Sequence, residues 1–216
     1  MCGRKFAADE LNWADYREQL EIIKPDSNLQ PSYNIAPTQT YNVCIEQGGE
    51  RLLKPMRWWL VPPWAKKLSS KYPAFNARSE TLEEKVSFKG LLKANRCAVM
   101  VSGFYEWEPR TKQPYAVWRA DRKPMIFAGL WCENKHLGLT SYTIATSEAP
   151  DSFKHLHHRC PVILQPSQVA TWLSGPWEDA KVITQPYAGS FESVAVSKDV
   201  GKVQNNSSAL LEPVPI

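Results

Sequence analysis

The second residue of the chain is a cysteine, and its position gives it a chemistry that internal cysteines lack. Removal of Met1 would leave Cys2 with a free α-amine and a thiol on adjacent carbons. An α-amine titrates at about 7.7–8.0 and a thiol at about 8.5, so both are partly deprotonated at neutral pH. Both groups can attack one aldehyde carbon, first forming an imine and then a closed thiazolidine ring. The alternative is that Cys2 is an incidental second residue.

A glutamate among aromatic residues is a candidate for proton transfer. Glu106 lies between Tyr105 and Trp107 in the segment GFYEW. A carboxylate in such surroundings loses hydration, which raises its pKa and suits it to acid/base work near neutrality. The alternative is that strand alternation turns Glu106 towards solvent, and spacing alone does not choose between the two.

Three histidines cluster ahead of a cysteine, and they allow two interpretations. His155, His157 and His158 precede Cys160 by two to five residues. Such a cluster could hold zinc, but no second cluster completes a ligand set. One histidine that acts as an acid or base is the preferred interpretation, and we expect neither a metal nor another cofactor.

Two arginines and one asparagine have side chains that could hold a phosphate or a nucleophile. Arg4 lies two residues after Cys2, and Arg78 closes the turn-like segment that contains Asn76. Arginine grips phosphate with two parallel hydrogen bonds, whereas an asparagine side chain can donate and accept beside an amine. The alternatives are surface ion pairs for the arginines and a structural turn for Asn76.

Tryptophan is abundant, with nine residues in the chain, and three of them are close together. Trp58, Trp59 and Trp64 flank Pro62 and Pro63. Exposed tryptophans are platforms on which unpaired bases stack. The alternative is that two of these three rings belong to the core.

The periodicity predicts one α+β domain with a curved or barrel-like, mostly antiparallel β core and a few helices. Helices are expected over 8–24 and 79–94, with a brief one over 167–173. The domain should span 2–212, with a tail over 213–216. Strands are expected at 40–47, 51–60, 96–101, 103–107, 114–119, 125–131, 140–146 and 161–164.

Composition narrows the class of protein. A hydrophobic fraction of 43% and a charged fraction of 22% are ordinary for a globular domain. No apolar run is long enough to span a membrane, and no signal-peptide pattern is present, so a cytoplasmic location is expected, near the nucleoid in a bacterium. Five scattered cysteines do not indicate a disulfide framework. The net charge of +4 permits a nucleic-acid partner without establishing one.

Five short blocks, in order, resemble those of the SRAP (SOS response-associated peptidase) family, whose members process abasic sites in DNA. The resemblance covers nearly the whole chain and also implies its fold. The blocks begin at Met1, Tyr33, Phe75, Gly103 and His157, and they read MCGR, YNIAPT, FNARSET, GFYEW and HHRCPVI.

The resemblance implies that Met1 is lost, by self-cleavage or to an aminopeptidase, and that Cys2 crosslinks to the aldehyde of an abasic site. Lyase-type imine chemistry is a further implication. The expected partner is single-stranded DNA or a single-strand/duplex junction, bound by a monomer. The implied catalytic residues are Cys2, Asn76, Glu106 and His157, the last preferred to His158, and the implied DNA-binding residues are Arg4, Pro37, Trp64, Arg78 and Arg159.

The chain departs from the family pattern at three positions. Trp59 stands where the family usually has glycine, and Ala65 replaces an aromatic residue beside Trp64. Cys160 replaces methionine or arginine and adds a second thiol near the expected site. Two rival functions stay open: an N-terminal-nucleophile amidohydrolase, whose members can also begin Met-Cys-Gly, and a non-covalent single-strand-binding module.

Overall fold

Thirteen strands and four α-helices make up the described part of the chain in the computed structural model, which covers residues 3–8, 11, 13–22, 30–68 and 74–216. The strands are β1 (Lys5–Ala7), β2 (Ser32–Ile35), β3 (Thr40–Gln47), β4 (Glu50–Trp58), β5 (Asn76–Arg78), β6 (Arg96–Val101), β7 (Gly103–Trp107), β8 (Pro114–Arg119), β9 (Met125–Asn134), β10 (Leu139–Glu148), β11 (Arg159–Pro161), β12 (Ile163–Leu164) and β13 (Phe191–Ala195). The helices are α1 (Trp13–Leu20), α2 (Val86–Lys89), α3 (Val169–Ser174) and α4 (Trp177–Lys181).

Five strands close into a small barrel. Strand β4 pairs with β3, β3 with β6, β6 with β9 and β9 with β10, and β10 returns to β4 in parallel. The second half of β10 continues beyond the barrel, where it pairs in parallel with β5 and antiparallel with β11. Closure pairs each of these five strands with two barrel neighbours, and the second half of β10 keeps the edges on which β5 and β11 pair.

A second, antiparallel sheet packs beside the barrel in the order β13, β8, β7, β1 and β2. Its core-facing rings, Phe104 among them, join the main hydrophobic cluster. The other face carries Phe6, Tyr105 and Trp118, which pack against Val200 and Leu210 from the C-terminal segment. The N-terminal strand β1 therefore lies inside the sheet, between β7 and β2.

The predicted fold class is confirmed, because the chain has a mostly antiparallel β core with a five-strand barrel and few helices. The predicted strand at 40–47 coincides with β3, and the strands at 96–101, 103–107 and 114–119 coincide with β6, β7 and β8. The domain limits stay a prediction. At their C-terminal end, the Val214 amide donates to the Ala195 carbonyl.

The predicted helix over 79–94 is wrong, because the segment contains a 3-10 turn at Ser79–Thr81 and the four-residue α2. At 3.6 residues per turn, one continuous helix would place Leu82 and Leu91 on opposite faces. Both side chains are buried in the same cluster. The chain therefore breaks between them.

The other helix predictions have mixed outcomes. The predicted helix over 8–24 is shorter, since α1 spans Trp13–Leu20, and parts of the predicted range lie outside the described residues. The brief helix near 167–173 is present as α3, after a 3-10 turn at Pro166–Gln168. Within the described ranges, no helix has the length and apolar character needed to cross a membrane.

Candidate active site

The N-terminal segment runs alongside β7. The amide of Tyr105 donates to the carbonyl of Arg4 at 2.9 Å, and Lys5 faces Phe104 across the strand pair. Continuing this register places Gly3 opposite Glu106. Cys2 itself lies outside the described residues, but one peptide bond joins it to Gly3. The candidate site therefore begins where the chain enters β1, next to Glu106 on β7.

Glu106 is buried, with 4% of its surface exposed. Its side chain shares a face of β7 with the core residue Phe104, because side chains two apart in a strand point the same way. Burial is the largest influence on the carboxyl and raises its pKa, although the Trp107 amide donates to Oε1 at 3.3 Å. The alternation that could have exposed Glu106 instead turns it inward.

His157 is half-buried and held in one orientation. The Arg159 amide donates to its Nδ1 at 2.9 Å, so the proton of the neutral ring is on Nε2. Partial burial lowers the pKa of the imidazole to about 4, with further lowering by His158, whose ring stacks on it at 4.4 Å between centroids. At neutral pH His157 is therefore uncharged, with Nε2 carrying the proton.

Asn76 begins β5 and is buried, with 9% exposed. Parallel pairing with Ile144 of β10 fixes its backbone, and the Ile144 amide donates to the carbonyl of Phe75 at 3.1 Å. The same pairing places Arg78 beside Thr146. A strand of three residues is stable here because the second half of β10 offers it an edge.

Arg159 forms a buried charge cluster beside His157. Its guanidinium donates two hydrogen bonds to the carboxylate of Glu80, at 2.7 and 2.8 Å, and also bonds the carbonyl of Thr146. Arg159 is 9% exposed, whereas the Glu80 side chain is about half exposed. The cluster ties the turn after β5 to β10 and β11. Glu80 occupies one side of the guanidinium. The predicted role of Arg159 in DNA binding stays a prediction.

Glu80→Gln is expected to lower the Tm by about 2–4 °C at pH 7. The Arg159 hydrogen bonds lower the pKa of Glu80, so their stabilisation is present above the unfolded pKa of about 4.3 and is lost as pH falls through the folded pKa. Thermal melts at pH 7 and pH 3 check this, with the exposed Glu84→Gln as the matched control. An equal Tm for Glu80→Gln and wild type at pH 7 would contradict the assignment.

Packing between Phe104 and Phe153 joins the two halves of the site. Their ring centroids are 5.6 Å apart, and the amide of His157 donates to the carbonyl of Phe153 at 3.3 Å. Phe104 lies two residues before Glu106 on β7. The structure thus brings the segments that carry His157 and Asn76 to the second half of β10, and the Phe104–Phe153 contact connects the His157 segment to the strand that carries Glu106.

The two predicted phosphate ligands differ in their surroundings. The Nη1 of Arg4 donates to Oδ1 of Asn34 at 2.8 Å and to the carbonyl of Val200 at 3.0 Å. Burial is the largest influence on Arg4 and lowers its pKa. Arg78 is exposed, two residues after Asn76. Arg4 therefore ties β1 to the C-terminal segment, while the Arg78 side chain projects to solvent.

The three clustered tryptophans divide between core and surface. Trp58 is buried, and its Nε1 donates to the carbonyl of Phe75 at 2.9 Å. Trp59 is half-buried, and Trp64 is 59% exposed. Pro37 is half-buried in the turn whose Thr38 amide donates to the Trp58 carbonyl at 2.6 Å.

Sequence reasoning did not single out three residues that support the site. Glu80 lies inside a quoted block but carried no assigned role. Asn134 donates to the carbonyls of Pro62 and Ala65, at 2.7 and 2.9 Å, and so holds the loop that presents Trp64. Lys5 is buried with its ammonium 3.5 Å from the centroid of the Tyr41 ring. None of these contacts has a signal in local sequence.

The four cysteines that the structure describes are buried as free thiols: Cys44, Cys97, Cys132 and Cys160. Burial raises the pKa of Cys44 to about 12 and that of Cys132 to about 11. Among the residues described, no three His, Cys, Asp or Glu side chains form a group that could hold a metal ion.

These features define a β-barrel domain whose N-terminal strand pairs with the strand that carries a buried carboxyl, and in which β10 pairs with the strand of a buried asparagine and with the strand that follows a neutral histidine. Residues 1–203 match the SOS response associated peptidase (SRAP) family, and the chain belongs to that family.

Named relatives and a solved structure agree with this assignment. The chain is 36% identical over 224 residues to the abasic site processing protein YoqW of Bacillus subtilis, with 98% of this chain and 99% of YoqW covered. It is 31% identical over 229 residues to the abasic site processing protein YedK of Escherichia coli, with 99% and 100% covered. A crystal structure of a Bordetella bronchiseptica protein is 26% identical with a TM-score of 0.78, covering 91% of this chain and 100% of that one.

Proposed function

We propose that this protein processes abasic sites in single-stranded DNA by a covalent crosslink through Cys2, after Met1 is removed. The observation that carries the proposal is the pairing of β1 with β7. Its register places Gly3, the residue after Cys2, opposite the buried Glu106. The relatives named as abasic site processing proteins support the substrate class. The rival amidohydrolase function would need neither DNA nor an aldehyde.

The proposed reaction begins by opening the sugar at the lesion. A closed hemiacetal is unreactive, and a proton donated to its ring oxygen exposes the aldehyde. Glu106, with its raised pKa, is the group we assign to this step, since a protonated carboxyl can donate near neutral pH. The site needs no metal for such a proton transfer.

The crosslink then forms in two steps. The Cys2 amine adds to the aldehyde carbon and water leaves, which gives an imine. The Cys2 thiol adds to the same carbon and its proton passes to nitrogen, which closes the thiazolidine. The net change is the loss of one water. We assign proton movement in these steps to His157, whose Nε2 carries a proton, and we propose that the Asn76 amide orients the Cys2 amine.

A denaturing gel tests the proposal. The protein, with Met1 removed, is incubated with a single-stranded oligonucleotide that carries one abasic site and, separately, with the same strand undamaged. We expect a shifted band only with the damaged strand. A shift in native but not in denaturing gels would support non-covalent binding instead, and glutamine hydrolysis without any shift would support the amidohydrolase.

Arg78→Ala is expected to weaken binding to damaged and undamaged strands alike. An exposed guanidinium that pairs with one phosphate releases a counterion, so its loss should reduce the slope of log K against log salt by about 0.7. Fluorescence anisotropy over a salt series measures both quantities. Arg17→Ala, an exposed arginine on α1, is the matched control, and an unchanged slope for Arg78→Ala would refute the phosphate contact.

A further inference from the structure

Trp59 has a backbone conformation that side chains rarely adopt. It follows the last residue of β4 and has a φ of 149°, in a region that is populated almost entirely by glycine. Hydrogen bonds hold it on both sides, since its amide donates to the Tyr142 carbonyl at 3.0 Å and its carbonyl accepts from Nη1 of Arg57 at 3.2 Å. The chain thus maintains a tryptophan at a position where glycine would be unstrained.

The contacts of the Trp59 ring do not by themselves account for the strained backbone of this residue. It is half-buried and packs against Phe75, with ring centroids 5.4 Å apart and planes tilted by 48°. Phe75 is also half-buried and directly precedes Asn76. The two rings form an aromatic step that keeps part of its surface in solvent beside the start of β5.

Strain at one residue persists where the surrounding structure enforces it, and such residues cluster at ligand sites. A half-buried indole stabilises the core less than a fully buried one. The neighbouring Trp58 is the contrast, because it is fully buried and its Nε1 donates to the Phe75 carbonyl. A planar, electron-rich surface next to Asn76 suits the flat face of an unpaired nucleobase.

We propose that Trp59 and Phe75 form a nucleobase subsite, on which the base of the nucleotide next to the abasic residue stacks. This inference rests on the proposed function, because the aldehyde carbon must lie near Asn76 for its neighbour in the strand to reach the aromatic step. Stacking on an aromatic side chain does not depend on the identity of the base. The subsite therefore positions the lesion without selecting a sequence.

Three variants at position 59 separate the ring from the backbone. Trp59→Ala and Trp59→Gly both remove the ring, but only glycine relieves the strain, so the glycine variant should melt at the higher temperature. Trp59→Tyr keeps an aromatic face. We expect both small variants to bind an undamaged single-stranded oligonucleotide about tenfold or more weakly than wild type, and the tyrosine variant to retain most affinity.

A second set of strands identifies what the ring contacts. The same binding measurements are made with a strand in which several consecutive nucleotides carry a stable baseless sugar. If Trp59 stacks on a base, Trp59→Ala should not lower the affinity for this strand any further, because the missing bases and the missing ring remove the same interaction. Wild type should lose about as much affinity on the baseless strand as the alanine variant loses on the normal one.

The outcomes decide the proposal independently of the crosslink. Equal affinity of Trp59→Ala and wild type for the normal strand would overturn the subsite, as would an equal loss on normal and baseless strands. A glycine variant that melts no higher than the alanine variant would overturn the role of backbone strain. Failure of wild type to crosslink abasic DNA, with these binding results intact, would reject the covalent chemistry and leave the subsite standing.

Discussion

Replacing Cys2 with serine is expected to abolish the crosslink that survives a denaturing gel. Serine retains the α-amine and so can still form an imine, but it has no sulfur with which to close a thiazolidine, and its hydroxyl is a weaker nucleophile than a thiol. Untreated samples of the variant should therefore show no shifted band after heating, while samples reduced with borohydride should show one. The difference isolates the thiol from the amine.

Two controls sharpen this result. Cys160→Ala removes a buried thiol next to Arg159 and should leave the crosslink yield unchanged. A protein with a residue added before Cys2 keeps the thiol but converts the Cys2 amine into an amide, so no thiazolidine can close and no heat-stable band should appear without borohydride. A heat-stable band from Cys2→Ser equal to that of wild type would contradict thiazolidine formation.

Replacing Glu106 with glutamine is expected to slow crosslinking by about 100-fold or more, the usual scale of a positioned acid or base. The reason is that glutamine keeps the shape of the carboxyl and cannot give up a proton. The rate is measured from the band intensity over time, across pH 5 to 9. Glu133→Gln, an exposed strand glutamate on β9, is the matched control and should behave as wild type.

Glu106→Gln should not lower the stability of the fold, so a stability measurement separates a catalytic role of Glu106 from a structural one. Burial raises the folded pKa of Glu106, so the folded state binds its proton more tightly than the unfolded state. The stabilisation that the Glu106 carboxyl contributes is then present at low pH and is lost as pH rises through its folded pKa. At pH 7 Glu106→Gln should melt at or above the wild-type temperature. A large drop in Tm together with the slower rate would indicate a structural role instead.

The strands were predictable from sequence where alternation and turns act locally. Strand β3 ends at the Gly48–Gly49 turn, and both glycines have positive φ, a conformation in which glycine is unstrained. Pairing with β4 follows from that hairpin. The blocks that contain Asn76, Glu106 and His157 could also be recognised from sequence, because each block is one continuous segment.

Long-range pairing was not predictable from sequence. Strand β5 exists because the end of β10 binds it in parallel across 68 residues of chain, as in the pair of Asn76 and Ile144. The ion pair of Glu80 with Arg159 and the positive φ of Trp59 depend in the same way on distant partners. The break in the predicted helix over 79–94 arises because two leucines must reach one core.

The intact mass of the protein, before and after incubation with a single-stranded oligonucleotide that carries one abasic site, tests the central claim most directly. We expect a starting mass that lacks Met1, and a product mass equal to protein plus oligonucleotide minus one water. Borohydride should leave the product mass unchanged, because a thiazolidine holds no C=N bond. A product that gains two hydrogens on reduction would be an imine, and the absence of any adduct from protein that lacks Met1 would contradict covalent capture altogether.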